Sequence, residues 1–163
     1  MSNQPMQRGQ QWLEQLLSLA KFPAKVTVTD ITEAHSDKPS YWLTIDETKL
    51  TPEQIQILIG PDGTAIDAIQ YLANSILNIG QTEEGQAAYT IELDGYRLRR
   101  QAELRAMAEY AAQKVRETGE EVEMTALSSA ERRQVHTILK EWEDLETQSR
   151  GQEPDRRLVV RRR

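Results

Sequence analysis

Two short stretches of the 163-residue sequence hold residue types at spacings that could grip a phosphate. The first is "LIGPDGTAID", residues 58–67, where Gly60 and Gly63 enclose Pro61 and Asp62 at the mouth of an apolar helix. A turn that opens a helix exposes unpaired backbone N–H groups at the positive end of the helix dipole, and glycines let an anion come close. The residues between the glycines work against this. Pro61 has no N–H to donate, and Asp62 sets a carboxylate where a ligand's anion would sit. Pro-Asp-Gly is also a common plain turn, since Pro presets φ and Gly accepts a positive φ. The loop is therefore open to two readings, a phosphate clamp or a turn.

The second stretch is "ERRQVH", residues 131–136, which contains Arg132 and His136. At roughly 100° per residue, an i,i+4 pair lies on one side of a helix. Val135, Ile138, Leu139 and Trp142 cluster as the core face of that helix. Arg132, Arg133, His136 and Lys140 make a basic strip along its border. Arginine forks onto phosphate oxygens, and histidine donates to them and charges beside an anion. The alternative is a solvated helix face with a structural histidine, and Glu131, Glu141 and Glu143 dilute the local positive charge.

Other chemistries find little footing. With no cysteines, disulfides, thiolate zinc sites and cysteine nucleophiles are all excluded. The two histidines, His35 and His136, are far apart in sequence, and no Ser/His/Asp or metal-ligand spacing surrounds either. No Gly-Lys-Ser/Thr follows Gly60, so the loop is not a Walker motif. The expectation is a protein that is not an enzyme and needs no metal or cofactor. "MSNQPMQRGQQ" is not a secretory leader and no apolar run is long enough to span a bilayer, so the expected location is the cytoplasm.

The net charge of −6 hides an asymmetry. Residues 1–94 carry five basic against thirteen acidic side chains, and residues 95–163 carry fifteen basic against thirteen acidic. A polyanion would find its better host in the second half.

The elements that position these residues are legible from periodicity. "QQWLEQLLSLAKF" reads as an amphipathic helix ended by Pro23, with residues 1–10 a flexible tail. "KVTVTDI" and "YWLTID" read as a strand hairpin. Thr51, Pro52 and Gln54 announce a short helix to Gly60. After the glycine loop, Ile66, Ile69, Leu72, Ala73, Ile76 and Leu77 form the apolar face of the next helix, and "AAYTIELD" is a third strand. From Gly95, a long helix with Leu98, Ala102, Leu104, Ala108, Ala111 and Val115 inward runs to Gly119. "EVEM" follows as a strand, then the Arg132 helix behind a Ser128/Glu131 capping box. Strands near 144–149 and 156–161 close the chain, with the terminal "RRR" a solvated tail.

The order helix–strand–strand–helix–Gly-x-x-Gly–helix–strand resembles a type II KH domain, whose glycine loop clamps backbone nucleotides. "ILIGPDGTAIDAIQYLANSILN" looks like the KH part of the Jag/KhpB (SpoIIIJ-associated) family of bacterial RNA-binding proteins. Arg132-x-x-x-His136 resembles the signature of the R-three-H domain that closes the same family, and the similarity covers about residues 11–163. The form here lacks the N-terminal Jag module of many members. A basic residue typical of the family's glycine loop is replaced by Pro61-Asp62.

The resemblance implies an α+β chain, with a type II KH domain at 11–95 and a small R-three-H α/β domain at 96–163. It implies single-stranded RNA binding, with single-stranded DNA a second candidate ligand, by Arg132, Arg133, His136, Lys140, Arg156 and Arg157. Gly60, Pro61, Asp62 and Gly63 are the expected KH contact. It further implies post-transcriptional regulation linked to cell elongation or division, and a small KH protein or a second copy as partner. The rival expectation is a protein–protein adaptor whose KH half is a docking or dimerisation surface.

Overall fold

The computed structural model describes residues 3–163, and they form two compact units, one up to Arg97 and one from Leu98. The chain mixes α and β, with one small sheet in each unit. No described helix is long and apolar enough to cross a membrane.

The first unit opens with α1 (Gln4–Leu19), which starts earlier than its apolar pattern suggested. Residues 4–10 are thus helical and not a flexible tail; residues 1–2 of that expected tail lie outside the described residues. The reason is local packing. Pro5 suits a first helical turn, and Pro5, Gly9, Leu13 and Leu17 form one buried stripe. At Gly9 a Cβ would sit 2.6 Å from the Tyr89 ring, so the missing side chain lets the helix lie against it. The Tyr89 hydroxyl donates to the Pro5 carbonyl at 2.8 Å.

Strands β1 (Val26–Asp30), β2 (Ser40–Ile45) and β3 (Ala88–Leu93) lie in that order across the first sheet. The β1–β2 pair is antiparallel, with Val26 opposite Ile45, and β2–β3 is parallel, with Ser40 opposite Ala88. Tyr41, Leu43 and Ile45 alternate inward, as a half-buried strand requires. Helix α2 (Pro52–Ile59) carries the Thr51/Gln54 capping box, and α3 (Thr64–Ile76) follows the glycine loop. Ile66, Ala73 and Leu77 are buried. Leu72 and Ile76, expected in the core, are 43% and 47% exposed, because the sheet covers a narrower stripe than the apolar pattern offers.

Polar residues on and just beyond α3 do a job that the apolar pattern conceals. Gln70, Asn74 and Asn78 recur every turn and face β3, an edge strand. The Asn74 amide donates to the Tyr89 carbonyl at 2.7 Å and accepts from the Tyr89 N–H at 2.9 Å. Asn78 repeats both bonds on Ala87, and Gln70 accepts from the Ile91 N–H. A helical turn of about 5.4 Å nearly matches two strand residues at about 6.6 Å, so one register serves all three. At the other edge, Gln10 and Glu14 of α1 similarly pair the carbonyl and N–H of Val26.

The second unit is built on α4 (Tyr96–Thr118), with Leu104, Ala108, Ala111, Ala112 and Val115 buried. Leu98, expected inward, is 67% exposed, and Ala102 is exposed too; the buried stripe begins only at Leu104. Strands β4 (Val122–Met124), β5 (Leu145–Arg150) and β6 (Arg157–Arg162) form an antiparallel sheet with β6 central. Helix α5 (Ser129–Lys140) packs on it, opened by the Ser128/Glu131 capping box. Arg161 and Arg162 belong to β6 and not to a solvated tail. Arg161 pairs with Glu146 directly opposite, and Arg162 donates to the Arg116 carbonyl.

Candidate functional site

Helix α5 sets Arg132, Arg133, His136 and Lys140 beside β5 and β6, but not as one strip. Arg132 is turned inward, 5% exposed, next to buried Val135 and Leu139. Its guanidinium donates to the carbonyl of Leu127 at 2.7 Å and to that of Arg156 at 3.2 Å. Both of these bonds come from Nη1, and Nη2 bonds the carboxylate of Glu153, in the loop between β5 and β6. Buried carbonyls need donors and a buried cation needs a counter-charge. One arginine fork satisfies both needs, which draws it off the border where periodicity put it.

The other side chains stay outward. Arg133, His136 and Lys140 are exposed. His136 Nδ1 bonds the Thr147 hydroxyl on β5, which orients the ring across the helix–sheet seam and leaves Nε2 for another partner. Between α5 and the sheet lies a cleft of about 510 Å³, lined by Arg132, Arg133, His136 and Arg156. Ser129, Thr137, Thr147 and Ser149 line it as well, the Thr137 hydroxyl donating back to the Arg133 carbonyl at 2.9 Å. Those residues, and Glu153, escaped sequence reasoning. The first are scattered over two elements, and Glu153 is identifiable only once Arg132 is known to be buried.

Charge pairing decides which cations remain for a ligand. Arg116 pairs with Asp144, Arg150 with Glu121, Arg157 with Glu123 and Arg161 with Glu146. Hydrogen bonds from Arg150 hold the Glu121 carboxyl below its ordinary range, and those from Arg116 do the same for Asp144. Arg157 therefore stands on a neutralised pair and outside the cleft. Among the described residues, Arg133 and Arg156 have no carboxylate partner, and both line it.

The glycine loop is shaped by its own bonds. Gly60, Asp62 and Gly63 all have positive φ, at +74°, +53° and +75°. The Gly63 N–H donates to the Gly60 carbonyl at 3.2 Å, and the Thr64 N–H donates to the Pro61 carbonyl. Tyr96 closes the turn, its hydroxyl donating to the Asp62 carbonyl at 3.3 Å. Two of the N–H groups that a phosphate would need are engaged inside the loop, Pro61 offers none, and the Asp62 side chain is exposed. The chemistry of these four residues is that of a turn.

Residues 102–162 match the family model of the R-three-H domain. The chain is 30% identical over 111 residues to the RNA-binding protein KhpB of Clostridium symbiosum, an alignment covering 68% of this chain and 49% of that protein. It is 35% identical over 104 residues to the RNA-binding protein KhpB of Lactiplantibacillus plantarum, covering 64% of this chain and 32% of the relative. For the Bacillus subtilis protein of the same name, identity is 29% over 147 residues, covering 84% and 68%. The chain thus spans about half the length of the first of these relatives and a third of the second.

Proposed function

We propose that this chain, which belongs to the Jag/KhpB family, binds single-stranded RNA in the cleft between α5 and its sheet. The observation that carries the reading is the pair Arg133 and Arg156, unpaired with carboxylates and flanking His136 in a cleft also lined by serines and threonines. Arginine forks take phosphate oxygens bidentately, hydroxyls suit sugar and phosphate, and His136 Nε2 adds a donor when the ring is charged. Arg132 acts one step back, tying the Arg156 carbonyl and the Glu153 loop to α5 so that the cleft keeps its shape. The family names, which are those of RNA-binding proteins, support the same ligand. Single-stranded DNA is a weaker competitor on this reading, since it lacks the 2′-hydroxyls that the rim of Ser and Thr could meet.

In the same reading, residues 11–95 are a type II KH domain and residues 96–163 an R-three-H domain. The element order of the first unit and its mixed sheet, β1–β2 antiparallel and β2–β3 parallel, support the KH assignment. The protein is a cytoplasmic, non-enzymatic post-transcriptional regulator, linked to cell elongation or division, with a small KH protein or a second copy as partner. Nucleic-acid contact is concentrated on the R-three-H half, because the Gly60–Gly63 loop carries no basic residue.

The test is a salt titration of affinity for a single-stranded RNA. Wild type gives a falling log–log plot, and an Arg133→Gln/Arg156→Gln variant flattens it by roughly 0.7 for each phosphate contact removed. Absence of RNA affinity at low salt, or a slope that the double variant leaves unaltered, would overturn the reading.

A second reading is favoured by one observation. Leu72, Ile76 and Ile79 project apolar surface at helical spacing along and just beyond α3, and Ile79 is 73% exposed. Such a face suits an adaptor that docks or dimerises through its KH half. Sedimentation of wild type against Leu72→Ser/Ile76→Ser distinguishes the two: loss of self-association with RNA affinity intact favours the adaptor contact as a separate activity.

A further inference from the structure

On the far side of the His136–Thr147 contact lies a second, smaller depression of about 160 Å³. His136 and Thr147 line both hollows, so the histidine is a shared wall and not the end of the site. The second hollow is lined by Lys140, one turn beyond His136 on α5, and by Arg163, which follows β6. The Arg163 backbone is fixed there by its N–H, which donates to the Asp144 carbonyl at 3.2 Å. Neither Lys140 nor Arg163 has a carboxylate partner among the described residues. Glu146 is the one acidic side chain on this hollow, and its carboxylate is paired with Arg161 at 2.5 Å, across the β5–β6 register. Leu139 and Leu145 supply an apolar base.

The cations that line the two hollows without a carboxylate partner therefore form two pairs, Arg133 with Arg156 and Lys140 with Arg163, separated by one histidine. A single anion explains one pair. Two pairs in a row match a polymer whose charges repeat, as the phosphates of a single strand do. We propose that Lys140 and Arg163 form a second phosphate subsite, so that one strand is gripped by successive phosphates on either side of His136. The proposal rests on the reading of the first cleft. It adds Arg163 to the binding surface and gives Lys140 a phosphate different from the one held by Arg133.

The experiment titrates the full chain, by NMR chemical-shift changes, with 5′-hydroxyl oligouridylates: a dinucleotide with one phosphate and longer oligomers with several. The 5′-hydroxyl form restricts the contacts to internal phosphates. Wild type gains at least about tenfold in affinity from the dinucleotide to the longer oligomers, the size of one charge-assisted contact. A Lys140→Gln/Arg163→Gln variant loses that gain while its dinucleotide affinity stays at the wild-type level. Lys140→Arg keeps the gain that Lys140→Gln loses, and Lys114→Gln, an exposed lysine on α4, has no effect. A gain retained by the double variant overturns the second subsite and leaves the first cleft standing, as does an equal loss for both oligomer classes. If wild type binds none of the oligomers, the first cleft fails too.

Discussion

Arg132 on α5 bonds Glu153 in the β5–β6 loop, twenty-one residues away, while donating from its other amino nitrogen to the carbonyls of Leu127 and Arg156. The arginine that gives the sequence motif its first letter is thus a bracket. It joins the start of α5 to the loop that delivers Arg156 to the cleft.

A bracket and a ligand contact fail differently. Arg132→Ala leaves the Leu127 and Arg156 carbonyls without their donor, which costs about 2–4 kcal/mol of stability in the second unit. Arg133→Gln, on the exposed face, shifts stability by less than about 0.5 kcal/mol. Urea unfolding with hydrogen-exchange readout of β6 separates them: the first variant lowers protection, and the second loses RNA affinity with protection intact. Equal stability of the two variants would show that Arg132 is not structural.

Two of the positive-φ glycines, Gly63 and Gly119, give a matched comparison. Gly119→Ala meets open space, so only backbone strain opposes it, at about 1 kcal/mol. At Gly63 the new methyl runs into the Tyr96 hydroxyl, so the cost is larger. Removing the ring in a Gly63→Ala/Tyr96→Ala double variant recovers part of the loss. Thermal unfolding of these three variants and of Tyr96→Ala measures the difference, and a double variant that sums the two single effects would refute the close approach.

Asn74 carries two of the bonds that finish β3. Asn74→Leu keeps the volume and strands the N–H and the carbonyl of Tyr89, at a cost of about 2–4 kcal/mol. Asn74→Asp is intermediate, since a carboxylate accepts from the N–H but cannot donate to the carbonyl. Denaturant midpoints for the two variants should fall in that order.

Acid sensitivity follows from the lowered Asp144 and Glu121 carboxyls. Their folded-state pKa values lie below the unfolded ones, so each adds stability above the ordinary carboxylate range. That contribution fades as pH falls through the folded value. Asp144→Asn or Glu121→Gln therefore flattens the fall of the urea midpoint between about pH 5 and pH 2. A variant with the wild-type acid profile would remove the Arg116 or Arg150 pair as its cause.

Periodicity and capping chemistry made most of the fold legible. Thr51/Gln54 and Ser128/Glu131 mark helix starts that the structure reproduces as full capping boxes. Strand alternation located β2 and β3 to within a residue. Burial was less legible where polarity and position disagree. Arg132 is polar yet buried, since what decides its place is two carbonyls from distant segments that a helical wheel does not include. Leu72 is apolar yet exposed, because the width of the covering sheet is a tertiary property, and Leu98 is exposed because it precedes the buried stripe that begins at Leu104. At Pro61 and Asp62 the residue chemistry left a clamp and a turn both open, and the structure adds the bonds that the loop makes within itself.

The amides that α3 lends to β3 also bear on what this molecule avoids. A strand whose outward N–H and carbonyl groups are already matched has no template for an incoming chain, and Gln10 and Glu14 blunt the opposite rim at Val26. Crowded against its own copies, the first unit leaves an incoming strand only the outer groups of β1 beyond Val26. That leaves little backbone on which a cross-β fibre could start.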